Sequence, residues 1–188
     1  MLFLLLAGAC LVLAIWLVAT WNGLIQVKHD VSRALANIDV LLKQRHDELP
    51  KLIETCKQYR QFEQDTLQRV VSARAAVQQA SARQNIADLG NAEGALRSSV
   101  GRLFALAEAY PDLKTNESFL ALQSRITTLE NGIADRREVY NESANINNVR
   151  LEQFPANLVA LFGRFRSAPL LHFGSGELAD PDVKALFA

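Results

Sequence analysis

Three histidines, two cysteines and one dense polar run are the side chains in this 188-residue chain with chemistry to offer. An enzyme needs a nucleophile beside a base, or two carboxylates held in different environments. A zinc or di-iron site built on helices uses His-x3-His or Glu-x2-His pairs, which put two ligands on one face. His29, His46 and His172 stand far apart, and none forms such a pair. His46-Asp47-Glu48 is the densest polar spot, yet consecutive helical residues point to different sides, so the run reads as a solvated face. Cys56 falls on an apolar stripe, where a cysteine acts as a small core residue rather than a nucleophile. Cys10 lies in an apolar N-terminal run and cannot plausibly pair with Cys56, so disulfides do not report the compartment. No glycine loop of the phosphate-cradling kind is present. The expectation is a protein that is not an enzyme, with no cofactor, no metal and no small-molecule substrate.

The elements that carry these residues begin with a run, Met1 to Val27, that contains no Asp, Glu, Lys or Arg. A helix rises about 1.5 Å per residue, so roughly 20 residues cross the ~30 Å hydrocarbon layer of a bilayer. Trp16 and Trp21 lie toward the end of the run, and indole rings favour the headgroup interface. Lys28 and Asp30 follow at once. Three readings compete: an uncleaved span, a cleaved signal, and a lipid on Cys10 after the loosely box-like Leu6-Ala7-Gly8-Ala9. The span is preferred. The apolar stretch outruns a signal, no Lys or Arg precedes it, and Leu11 to Val18 stay strongly apolar beyond Cys10. Residues 1–23 are therefore expected to be a transmembrane anchor that binds the lipid bilayer. Lys28, Arg33, Lys43 and Arg45 follow the span, and the positive-inside tendency then puts the soluble part in the cytoplasm. The 20 basic and 20 acidic residues cancel and are interspersed, which leaves no electrostatic footprint for nucleic acid.

Beyond the anchor, apolar positions recur at helical steps. Leu24, Val27, Val31, Leu35, Ile38, Leu42, Leu49, Leu52, Cys56 and Tyr59 make one face, with Arg45 in the single vacant place. Pro50 falls inside this pattern without breaking its phase, so a kink is expected rather than a stop. A second helix is expected from about Phe62 to Ala82, after a turn near residues 59–63. A third is capped by Asn85 and carries Ile86, Leu89, Leu96, Val100, Leu103 and Ala107. Gly90, Gly94 and Gly101 within it either admit a neighbour closely or locally weaken the helix. Tyr110 to Asn116 reads as a loop, and a fourth helix runs from about Glu117 to Gln153 until Phe154-Pro155 ends it. The expected fold is all-α: a transmembrane helix, an antiparallel bundle of about four long helices over residues 24–154, and an irregular apolar tail over residues 155–188.

Four blocks of this sequence resemble the LemA family. They are Ile38 through Thr55, Ala107-Glu108-Ala109-Tyr110-Pro111-Asp112-Leu113-Lys114, Arg136-Arg137-Glu138-Val139-Tyr140-Asn141, and Phe154-Pro155-Ala156-Asn157. Their order and spacing cover nearly the whole chain, from Trp21-Asn22-Gly23-Leu24 to Phe165. The resemblance implies a bacterial protein with one N-terminal anchor in the plasma (inner) membrane, an antiparallel helical domain and no established enzymatic activity. One relative in that family is a magnetosome membrane protein, and others carry lipoprotein-like N-termini, which place the domain outside the cytoplasm. Asn147 stands where the family usually has a second tyrosine, and Pro169-Leu170-Leu171-His172-Phe173 is looser than the usual aromatic tail.

Within the first block, Asp39, Arg45, His46, Asp47, Pro50 and Glu54 form a candidate structural or partner-binding motif. Polar groups beside a proline can satisfy the carbonyl it frees, or grip a partner. Arg45 lies on the apolar stripe itself and needs a buried carboxylate. Asp39 and Glu54 lie off that stripe, so an acid on another helix is expected to supply it. The expected function is a membrane-anchored scaffold or adaptor that organises an unknown protein partner or self-assembles as a homo-oligomer. The alternatives are a regulatory subunit of a membrane protease or transporter, or an enzyme with an unrecognised site.

Overall fold

The computed structural model describes residues 1–59, 62–83 and 85–172. The end of the expected tail, with Gly174, Gly176 and Pro181, lies outside the described residues. Six helices and no strands occur among the described residues: α1 (Leu2–Lys57), α2 (Gln64–Ala82), α3 (Ile86–Ala107), α4 (Pro111–Lys114), α5 (Glu117–Glu152) and α6 (Ala156–Phe162). The chain is all-α. It divides into two compact units, each of which takes part of α1 and part of α5. Among the described residues, one comprises residues 1–39 and 135–170, the other those within 40–134 together with 171 and 172.

Residues 1–19 of the first unit are exposed throughout, and they form the one described helical stretch long and apolar enough to cross a membrane. The core helix of a soluble protein passes the same length test but is covered by its own chain, and this one is not. Burial starts at Leu24, which packs with Val159 and Ala160 of α6. Ala34, Ile38, Tyr140 and Ala144 are also buried in this unit. Gly163 follows α6 because a β-carbon there would strike the Phe165 ring and Trp21, which meet edge to face at 5.4 Å. The chain leaves α6 through two closing hydrogen bonds, Phe165 N–H to Ala160 O and Arg164 N–H to Leu161 O. Arg164 sits in the left-handed region at φ 52°, which costs an L-residue roughly 1–2 kcal/mol.

The segment after α6 is clipped to α5 by side chains. The Asn148 amide both donates to Ala168 O (2.9 Å) and accepts from Ala168 N–H (2.8 Å), as a neighbouring strand would. Asn147, buried on the same helix, donates to Arg166 O at 3.4 Å, and the Tyr140 hydroxyl donates to Pro169 O at 2.8 Å.

In the second unit, α1 runs on through Pro50 without interruption. Leu42, Leu49, Leu52 and Cys56 are buried, as are Leu67, Val70 and Val77 on α2, Leu96, Val100 and Leu103 on α3, and Ile126, Leu129 and Ile133 on α5. Asn85 caps α3 by accepting from Ala87 and Asp88 N–H. The expected loop at Tyr110 to Asn116 holds one helical turn, α4, because Pro111 at its first position needs no backbone donor. Asn116 then caps α5 by accepting from Phe119 N–H. Of the α3 glycines, Gly90 allows a close approach: a β-carbon there would overlap the carbonyl oxygen of His172, so the neighbour is tail backbone rather than a helix. Gly101 faces open space.

Replacing Asn148 with Ala removes both bonds to Ala168. The expected cost is about 1–3 kcal/mol, together with faster tryptic cleavage after Arg166, measured by mass spectrometry of limited digests. Unchanged cleavage would mean that the clip does not hold this segment.

Candidate functional site: a buried arginine between two carboxylates

Arg45 is 1% exposed, although it carries the largest side chain among the fully buried residues. It projects from α1 between Leu42 and Leu49, at a position that helical spacing assigns to the core. Its Nη2 donates to both oxygens of Glu93 on α3, at 2.7 and 2.5 Å, and its Nη1 donates to Glu130 Oε1 on α5 at 2.7 Å. Glu93 is 2% exposed and the Glu130 side chain 17%. Arg45 Nε has no hydrogen-bond partner among the described residues, so the two Nη groups carry the pairing. Burial opposes the Arg45 charge, but the two carboxylates outweigh it and raise the pKa above its ordinary value. Burial pushes the Glu93 carboxyl up, against the downward pull of Arg45.

A second arginine answers the defect at Pro50. Proline has no N–H for the carbonyl four residues earlier, which is His46 O. Arg74 on α2 supplies the missing donor: its Nε donates to His46 O at 3.1 Å. Its Nη2 lies 2.6 Å from His46 Nε2. A guanidinium cannot accept, so that nitrogen must be the acceptor of a neutral imidazole protonated at Nδ1. Burial, and then the Arg74 charge, hold the His46 pKa below its ordinary value. A depressed histidine contributes stability that is present above the unfolded pKa of about 6.5 and is lost as pH falls through the lower folded value.

The six motif residues thus separate. Arg45 turns inward to two acids, and His46, one turn before Pro50, meets Arg74. Asp39, Asp47 and Glu54 are exposed on α1, where Glu54 pairs with Lys57 one turn on. Cys56 is fully buried, and burial pushes its thiol up to about 12, which leaves essentially no thiolate at neutral pH. Glu93, Glu130 and Arg74 are the members that inspection of the motif alone does not find. Glu93 had a signal: it fills the one gap between Leu89 and Leu96 in the α3 stripe, as Arg45 does between Leu42 and Leu49 on α1.

Arg45→Met leaves Glu93 buried without its cation, an expected loss of about 3–5 kcal/mol near neutral pH. The folded-state pKa of Glu93 then rises further above its unfolded value. The folded variant keeps a proton that the unfolded chain releases, so its stability is greatest in acid and falls as pH rises. The gap in melting temperature between variant and native protein is therefore expected to narrow from about pH 7.5 to about pH 5. Adding Glu93→Leu should recover much of the loss and remove that pH dependence. A gap independent of pH would show that Glu93 is not the group left stranded.

The chain is similar to several known proteins. Over 77 residues it is 31% identical to the magnetosome protein MamQ 2 of Paramagnetospirillum magneticum, covering 41% of this chain and 28% of that one. Over 81 residues it is 28% identical to the magnetosome protein MamQ of Magnetospirillum gryphiswaldense, covering 43% and 30%. The chain thus aligns with less than a third of the magnetosome proteins' length. Protein LemA of Metamycoplasma hominis is 24% identical over 166 residues, which cover 88% of this chain and 74% of that protein. The family model for LemA matches residues 34–185, a span that holds Arg45, Pro50, Arg74, Glu93 and Glu130, and the chain belongs to the LemA family.

Proposed function

We propose that the protein is a membrane-anchored helical scaffold or adaptor that carries out no catalytic step of its own. On this reading residues 1–23 span the bacterial plasma membrane. Residues 24–154 form an antiparallel bundle of about four helices in the cytoplasm, which presents surface to a protein partner or to a second copy. The observation that carries the proposal is α1 itself, one 56-residue helix that is wholly exposed and apolar at its start and charge-locked through Arg45 further on. A helix of that kind ties a bilayer-compatible segment to a domain in which the buried Arg45 and Glu93 are paired with each other. The high thiol pKa of Cys56 and the engagement of His46 by Arg74 support the non-catalytic reading. The similarity to magnetosome proteins supports work at a membrane.

Alkaline carbonate washing is expected to leave the protein with the membrane. Trypsin is expected to spare the bundle in intact spheroplasts and to digest it in inverted vesicles. Crosslinking in native membranes, followed by solubilisation and purification, should recover a homo-oligomer or a recurrent set of proteins. Recovery of a protease or transporter in fixed stoichiometry would favour a regulatory subunit instead. A monomer that captures nothing under any condition would contradict the scaffold.

A further inference from the structure

Helix α6 buries Val159 and Ala160 against Leu24 but turns its other large side chains outward. Phe162 is 88% exposed, Leu161 75% and Leu158 52%, and Phe154 just before the helix is 78% exposed. So much contiguous apolar surface on so short an element is unusual for a face that meets water. Between Trp16 and Trp21 of α1 and Pro155, Leu158, Val159 and Phe162 lies an open groove of about 590 Å³. Two features indicate what covers this surface. It is continuous with the exposed apolar side of the span, because Trp16 and Trp21 belong to both, and tryptophans at the end of a span mark the headgroup level. The helix also ends in exposed cations. Arg164 and Arg166 follow it directly, and Arg164 holds the left-handed conformation that glycine would adopt without strain.

We propose that residues 154–166 are a second membrane element. Helix α6 lies in the bilayer interface beside the span, a phospholipid acyl chain fills the groove, and Arg164 and Arg166 meet the phosphates of anionic headgroups. An apolar face with flanking cations is what interfacial helices use for this purpose. The inference rests on the reading of α1 as a span, and the test separates the two.

The full-length protein is reconstituted into vesicles of three parts phosphatidylcholine to one part phosphatidylglycerol, with the photocrosslinker p-benzoylphenylalanine at position 162. Position 13, within the span, and position 138, exposed on α5, serve as references. Lipid adducts are expected at 162 and 13 and not at 138. Arg164→Gln with Arg166→Gln should reduce the adduct at 162 several-fold and leave that at 13 unchanged. Adducts at 13 without any at 162 would overturn the inference and leave the span standing. Adducts at 162 to a second copy or another protein in place of lipid would also overturn it. Absence of lipid adducts at both positions removes the span, and the inference with it.

Discussion

A guanidinium removed from water must find carboxylates, and the rest of its unit has to be arranged so that it does. The effective penalty for burying an ion is several kcal/mol, and pairing repays it only when the geometry is good. Arg45 is taken out of solvent by its place on the α1 stripe, so α3 must bring Glu93, and α5 must bring Glu130, within hydrogen-bonding distance. Sliding α3 by one residue would turn Glu93 off the core side and place an apolar neighbour against the charge. Apolar side chains tolerate such slips far better, because Leu against Leu is much the same contact one turn on. The triad therefore contributes register more than net stability. Its two acids and one base also explain why Glu130, the more exposed carboxylate, sits at the rim: a second fully buried anion would lack a cation.

The same logic operates at Pro50. A proline inside a long helix frees a carbonyl, and a freed carbonyl within a packed unit has to be satisfied. Arg74 does this from α2 while its charge also meets the His46 ring. A defect in one helix thereby becomes a specific attachment point for another. Arg45 fixes α1 to α3 and α5, and Arg74 fixes it to α2.

Much of this was legible in the sequence because it is local. The starts of α3 and α5 followed from caps, since Asn85 and Asn116 cap as their types suggest, and the phase of the stripe carried through Pro50. That Arg45 needed an acid from another helix followed from its position alone. Which acid did not, because pairing across 48 and 85 residues of chain is settled by packing and not by spacing. The donor for the carbonyl freed by Pro50 was equally out of reach: polar groups beside the proline were the visible candidates, and Arg74 comes from another helix. The role of Asn148 was invisible for a different reason. Its amide imitates a peptide group, and nothing in an asparagine's identity shows that a particular backbone segment will return to it.

The stretch after α5 shows how far such side-chain substitution for regular structure can go. In an all-α chain, an extended segment has no sheet in which to pair its backbone, and unpaired buried peptide groups are costly. Asn147, Asn148 and Tyr140 take the place of a strand edge, offering donors and an acceptor along one side of α5. Asn147 reaches Arg166 O at a long 3.4 Å, and the two bonds of Asn148 to Ala168 next to it carry the attachment. Held in this way, the segment needs neither a core of its own nor a helix. The chain between Phe154 and Phe165 can then expose apolar side chains while its two ends stay tied, one to α5 and the other to Trp21 through Phe165.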